Sequence, residues 1–171
     1  MDLERMWAGW RSQYVSGATA PPPGEGSLFE RIFGSGLADH ETLVLWRGRR
    51  CAAILNAYPY TTGHLMVLPL RAETELETLD DDTSDELWAT VRDAVRAVKA
   101  AYRPEGVNVG ANLGLAAGAG VPDHLHIHVL PRWSGDTNFT TTIAYARVLP
   151  EPLDVTWQKL RDAWPRRSEP V

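Results

Sequence analysis

The run His124-Leu125-His126-Ile127-His128-Val129-Leu130 decides how the rest of the chain is read. In an extended strand successive side chains point to opposite faces, so the three imidazoles share one surface while Leu125, Ile127 and Val129 share the other. One face suits chemistry and the other a core. Cationic imidazoles stacked this closely would repel, so some stay neutral near pH 7, and a neutral imidazole is a nucleophile. Two other readings stay open. A ladder of satisfied histidines would waste a face that β-branched residues stabilise better. Three histidines can also hold a catalytic zinc with one position left open.

Just upstream, Asn112-Leu113-Gly114-Leu115-Ala116-Ala117-Gly118-Ala119-Gly120 is a loop of small residues whose amides can approach an anion. Strand patterns precede it over residues 42–46, 51–56, 64–69 and 106–112, and the histidine strand spans 125–130. Short turns join the first three into an antiparallel meander. Thr83-Ser84-Asp85-Glu86 has the form of a capping box, and Leu87, Val91, Ala94, Val95, Val98 and Tyr102 then recur at helical spacing until Pro104. Further helices are expected over 1–16, where Leu3, Met6, Trp7, Trp10 and Tyr14 form one apolar face, and over 153–164. Residues 17–26 read as a Pro/Gly linker, and 165–171 as a flexible tail. Helices set between hairpin-type strands predict an α+β fold, mainly an antiparallel five-stranded sheet with one long helix.

The length of 171 residues fits a single domain, and 44% hydrophobic with 23% charged residues is an ordinary globular composition. A formal net charge of −5 argues against a nucleic-acid polymer as partner, because phosphate-backbone affinity needs a basic face. The lone cysteine, Cys51, sits in an apolar run and reads as core. No apolar run approaches the ~20 residues of a membrane span, and the first residues lack a secretory leader, so a cytoplasmic location without membrane contact is expected.

The segment HLHIHVLPRW, preceded by NLGLAAGAG and by NAYPYTTGHLMVLP, resembles the histidine triad (HIT) family of nucleotide hydrolases and transferases, in its bacterial diadenosine tetraphosphate hydrolase or phosphorylase branch. The resemblance covers residues 28–164 and extends to Met6-Trp7-Ala8-Gly9-Trp10-Arg11 and to residues 132–139. It implies a HIT-like core over 27–164 in which His126 attacks an α-phosphorus to give a nucleotidyl-histidine, which water or phosphate then releases. His128, Asn112, Gly118 and Gly120 are implied to hold the phosphate. His64 braces the site, and His124 contacts the polyphosphate or orients its neighbours. Asn56 matches a ribose position, and Phe29, Ile32, Ile54 and Met66 match the base pocket or serve as core. A nucleoside phosphoramidate hydrolase, a metal-dependent hydrolase and a nucleotide-binding sensor without turnover are the alternatives. Some relatives carry a structural zinc, but here its ligand positions hold Ser27, Glu30 and Ala72, so no structural zinc is expected. No cofactor is expected at the triad, apart from magnesium carried in by the substrate. Gly120 stands where the family often has Gln or Ser, which removes a side-chain donor. A homodimer is expected from the resemblance alone.

Overall fold

A computed structural model describes residues 25–136 and 151–166. The helix expected over 1–16, linker residues 17–24, the tail from 167 and residues 137–139 of the resemblance lie outside the described residues.

Five strands form one antiparallel sheet: β1 (Val44–Arg47), β2 (Cys51–Leu55), β3 (Leu65–Pro69), β4 (Gly106–Gly110) and β5 (Ile127–Arg132). Their spatial order is β1-β2-β3-β5-β4, so the expected meander forms and β5 inserts between β3 and β4. Every residue of β2 and β3 is buried, because both faces of the sheet centre are covered. One face packs Leu45, Leu55, Leu65, Val67, Leu125, Ile127 and Val129 against the long helix α3 (Asp81–Tyr102) and the C-terminal helix α4 (Leu153–Asp162). The other carries the short helix α1 (Leu28–Phe33) and a smaller cluster of Phe29, Val44, Ile54, Met66 and Leu68.

Several boundaries differ from the sequence reading, most by one or two residues, as where β4 ends at Gly110 and not at 112. The first strand starts at Val44, not at 42, because residues Asp39–Thr42 form a helical turn, α2, closed by Leu43 at φ 62°. The histidine strand begins at Ile127, so His124 and His126 precede the ladder and are held by side-chain bonds. The long helix starts earlier than the Thr83 capping box. Asp80 is its N-cap, accepting from the Thr83 amide at 3.0 Å and from the Thr83 hydroxyl at 2.7 Å. A carboxylate at the positive end of the helix axis competes well with a hydroxyl for the orphan amides. Glu86 is thereby released, and its Oε1 accepts the amides of Arg50 and Cys51, each at 3.0 Å, tying the helix to the β1–β2 turn. At the other end Arg103 takes a left-handed conformation, φ 46°, directly before Pro104. No helix among the described residues is long and apolar enough to cross a membrane.

Candidate active site

The register pairs His128 with Met66 on one side and with Gly110 on the other, which sets the histidine at the middle of the sheet. His126 and His128 have ring centroids 4.9 Å apart, and His64, one residue ahead of β3, lies 5.0 Å from His128. His124 and His126 both flank Phe29 of α1, at 5.3 and 5.9 Å. The face expected from the alternation therefore exists, with all three triad rings largely buried.

Groups with only one hydrogen-bonding role fix the tautomers. A main-chain carbonyl can only accept, so His126 Nδ1, 2.8 Å from the His124 oxygen, carries a proton. In a neutral ring Nε2 then bears the bare lone pair. The Tyr60 amide can only donate, and it donates to His64 Nδ1 at 3.0 Å. His64 therefore keeps its proton on Nε2 and donates it to His128 Nδ1 at 2.9 Å. His128 in turn carries its remaining proton on Nε2. Burial, reinforced by neighbouring His126, lowers the His128 pKa from 6.5 to about 4, so it is a neutral donor near pH 7. With His126 neutral, the site combines one bare imidazole nitrogen with an adjacent N–H.

His124 is engaged at both nitrogens. Its Nε2 donates to the Pro69 oxygen at 2.8 Å, which leaves Nδ1 to accept from the Ser27 hydroxyl at 2.6 Å. Burial lowers its pKa as well, and only 1% of the residue is exposed. Of the two roles expected of His124, this geometry favours orienting its neighbours, because both ring nitrogens are engaged within the protein.

Ser27, Glu30 and Ala72 meet at the same corner. Glu30 accepts the Ser27 amide at 2.9 Å and the Ala72 amide at 3.0 Å, the latter being the main reason its pKa is lowered. A structural zinc takes four thiolate, imidazole or carboxylate ligands, whereas this corner offers a neutral hydroxyl, a main-chain amide, one carboxylate already accepting two amides and one imidazole bonded at both nitrogens. These residues do not fit a structural zinc.

Phe29, Ile32, Ile54 and Met66 gather in one small cluster beside His124 and His126, joined by Val121 from the glycine loop. Asn56 follows β2; its Oδ1 accepts the Tyr58 amide at 2.9 Å and its Nδ2 lies 3.3 Å from His64 Nδ1, so it braces the loop that orients His64. Asn112 is half-buried two residues beyond the Gly110–His128 pair, where continuation of the register points toward His126. Gly120 is exposed in the same loop. Gly118 differs from expectation in one respect: its amide closes onto the Leu115 oxygen at 3.0 Å, so it supplies a φ of 93° for the turn and not a spare donor. Sequence reasoning missed Tyr60, the Pro69 carbonyl and the function of Ser27. Tyr60 and Pro69 act through main-chain groups that carry no residue-type signal. Ser27 acts on His124 across 97 residues.

The HIT domain family model matches residues 38–135. The chain is 43% identical over 170 residues to "AP-4-A phosphorylase" of Mycobacterium tuberculosis, covering 96% of this chain and 86% of that protein. It is 32% identical over 93 residues to the asymmetrical bis(5'-nucleosyl)-tetraphosphatase of Schizosaccharomyces pombe, covering 54% of this chain and 50% of the relative. Among solved structures, a HIT-like protein of Bartonella henselae shares the fold with TM-score 0.66 at 22% identity, covering 82% of this chain and 97% of that one. A zinc-bound histidine triad protein of Mycobacterium smegmatis aligns with TM-score 0.62 at 26% identity, covering 79% and 89%. With the family match spanning more than half of its length and the near-full-length likeness beside it, this chain belongs to the HIT domain family.

Proposed function

We propose that the protein cleaves the phosphoanhydride of dinucleoside polyphosphates through a nucleotidyl-His126 intermediate. The observation that carries this reading is the bond from His126 Nδ1 to the His124 oxygen, which in the neutral ring puts the lone pair on Nε2, beside the Nε2–H of His128. The Nε2 lone pair attacks the α-phosphorus and the bond to the bridging oxygen breaks, releasing the remaining polyphosphate nucleotide. The ring becomes an imidazolium-like adduct whose Nδ1–H faces the His124 carbonyl. His128 donates to a phosphoryl oxygen, where charge is redistributed in the transition state. An acceptor then attacks phosphorus, the P–N bond breaks and neutral His126 returns.

The near-full-length likeness to a phosphorylase favours inorganic phosphate as that acceptor, giving a nucleoside diphosphate in place of a monophosphate. Asn112 and Gly120 are proposed to line the phosphate, and Phe29, Ile32, Ile54 and Met66 the base. Asn56 would reach a ribose hydroxyl with the second lone pair of Oδ1. No metal is required at the triad in this scheme, since both His124 nitrogens are engaged; magnesium enters, if at all, with the polyphosphate. A cytoplasmic location fits the proposed nucleotide substrate and is part of this reading. A homodimer through β4 is supported by the position of that strand at the end of the sheet, where Asn108, Val109 and Gly110 are exposed.

The test is incubation of purified protein with diadenosine tetraphosphate, with and without inorganic phosphate, followed by product analysis. ADP with ATP, formed only when phosphate is present, is the expected result. AMP with ATP regardless of phosphate would make water the acceptor. No turnover of this or related dinucleotides would overturn the assignment.

A further inference from the structure

The corner where this chain does not fit a metal is not vacant of structure. Ser27 is the N-cap of α1: its hydroxyl accepts the Glu30 amide at 3.2 Å, and Glu30 returns the bond to the Ser27 amide. The same hydroxyl has one proton to give, and its partner is His124 Nδ1. Glu30 adds a third tie, to the Ala72 amide just past β3. Gly26 makes room for it. A Cβ at Gly26 would come within 2.7 Å of the Glu30 carboxylate, and the residue sits at φ 88°, a conformation that side chains resist. With Ser27 on one nitrogen and Pro69 on the other, the His124 ring has one orientation and one tautomer, and its main-chain oxygen holds the Nδ1 proton of His126.

We propose that Ser27 and Glu30 are positioning residues for the nucleophile: a metal-free clamp that fixes His124 and, through its carbonyl, aims the unprotonated nitrogen of His126 at phosphorus. This rests on the reading of His126 as nucleophile. Neither residue touches substrate. Their effect is on the fraction of His126 rings that carry the proton at Nδ1 and on the alignment of Nε2, so loss of the clamp lowers kcat and leaves binding largely intact.

The experiment uses the full chain as wild type, Ser27→Ala, Ser27→Thr and Glu30→Gln, each read by imidazole ¹H–¹⁵N correlation at one fixed pH and by kcat and KM with diadenosine tetraphosphate. Wild type is expected to show His124 as the Nε2–H tautomer and His126 as Nδ1–H. In Ser27→Ala the His126 signal becomes a mixture, and kcat falls roughly 10- to 100-fold while KM moves less than about twofold. Ser27→Thr, which keeps the hydroxyl, restores both. Glu30→Gln, which keeps the side-chain shape, gives a smaller loss in the same direction and serves if Ser27→Ala does not fold. Unchanged spectra and kcat in Ser27→Ala and Glu30→Gln would overturn the clamp, as would equal losses in Ser27→Ala and Ser27→Thr accompanied by equal falls in melting temperature. If wild type turned over no dinucleotide, the assigned reaction would fail, and the imidazole spectra would still decide the clamp.

Discussion

His64 Nε2 donates to His128 Nδ1 at 2.9 Å, and the Tyr60 amide on the far side of His64 fixes the direction of that donation. A main-chain group thus determines, two rings away, which nitrogen of His128 offers a proton. Replacing His64 by Ala frees His128 to take either tautomer. We expect kcat to fall on the order of 10²-fold with a smaller change in KM, as when one oriented donor to a developing charge is removed. Steady-state kinetics with diadenosine tetraphosphate checks it, and an unchanged kcat would detach the relay from catalysis.

His126→Asn removes the proposed nucleophile while keeping a polar side chain. The expected loss in kcat is about 10⁴-fold or more, the scale seen when a covalent nucleophile is deleted. Quenched mass spectrometry should find a nucleotidyl adduct on the wild-type chain and none on the variant. Full activity without His126 would remove the mechanism.

Acid stability provides a test independent of substrate. The His128 pKa is about 4 in the folded chain against 6.5 otherwise, so between these values the unfolded chain takes up the proton first. Folded stability is therefore complete above the upper value and declines as pH falls toward the lower one, and His124, shifted in the same direction, adds to the decline. Urea midpoints measured from pH 7.5 down to about 4.5 should fall, and less steeply in His128→Gln. An identical slope in the variant would contradict the assignment.

Glu86 holds two main-chain amides of the β1–β2 turn with one oxygen. Glu86→Ala leaves both without their partner and is expected to cost about 1–3 kcal/mol by chemical denaturation, with kcat retained. A cost below a few tenths of a kcal/mol would show that water replaces the carboxylate.

Phe29 separates the base-contact reading from a purely packing role. Phe29→Leu keeps an apolar side chain and should cost under about 2 kcal/mol in stability. If the ring stacks on a base, KM rises severalfold; an unchanged KM would assign Phe29 to the core alone.

The alternating histidines and the His64 element were legible because side-chain periodicity and residue type carry them, and strands 2 to 5 were placed to within a few residues for the same reason. The start of the long helix is ambiguous in the sequence because Asp80 and Thr83 are both good caps, and only the demand of Arg50 and Cys51 for Glu86 separates them. The opening of β1 is not legible in the sequence, because nothing in Thr42 or Leu43 announces a helical turn ending in a left-handed leucine. The sequence leaves His124 two roles because its partners, Ser27 and the Pro69 carbonyl, are brought to it only by folding. Tautomers belong to the same class: they depend on which neighbour can only donate and which can only accept.

The two edges of the sheet are unlike. At β1 the indole of Trp157 donates to the Val44 oxygen at 2.8 Å, and Arg161 donates to the Leu45 oxygen, so α4 occupies main-chain acceptors along that border. At β4 no further strand lies alongside among the described residues. A ribbon stoppered on one side can lengthen only from the other, so growth by strand addition stops once two copies have met edge to edge. The C-terminal helix would then set an upper limit on assembly, turning what could be an open-ended stack into a closed pair.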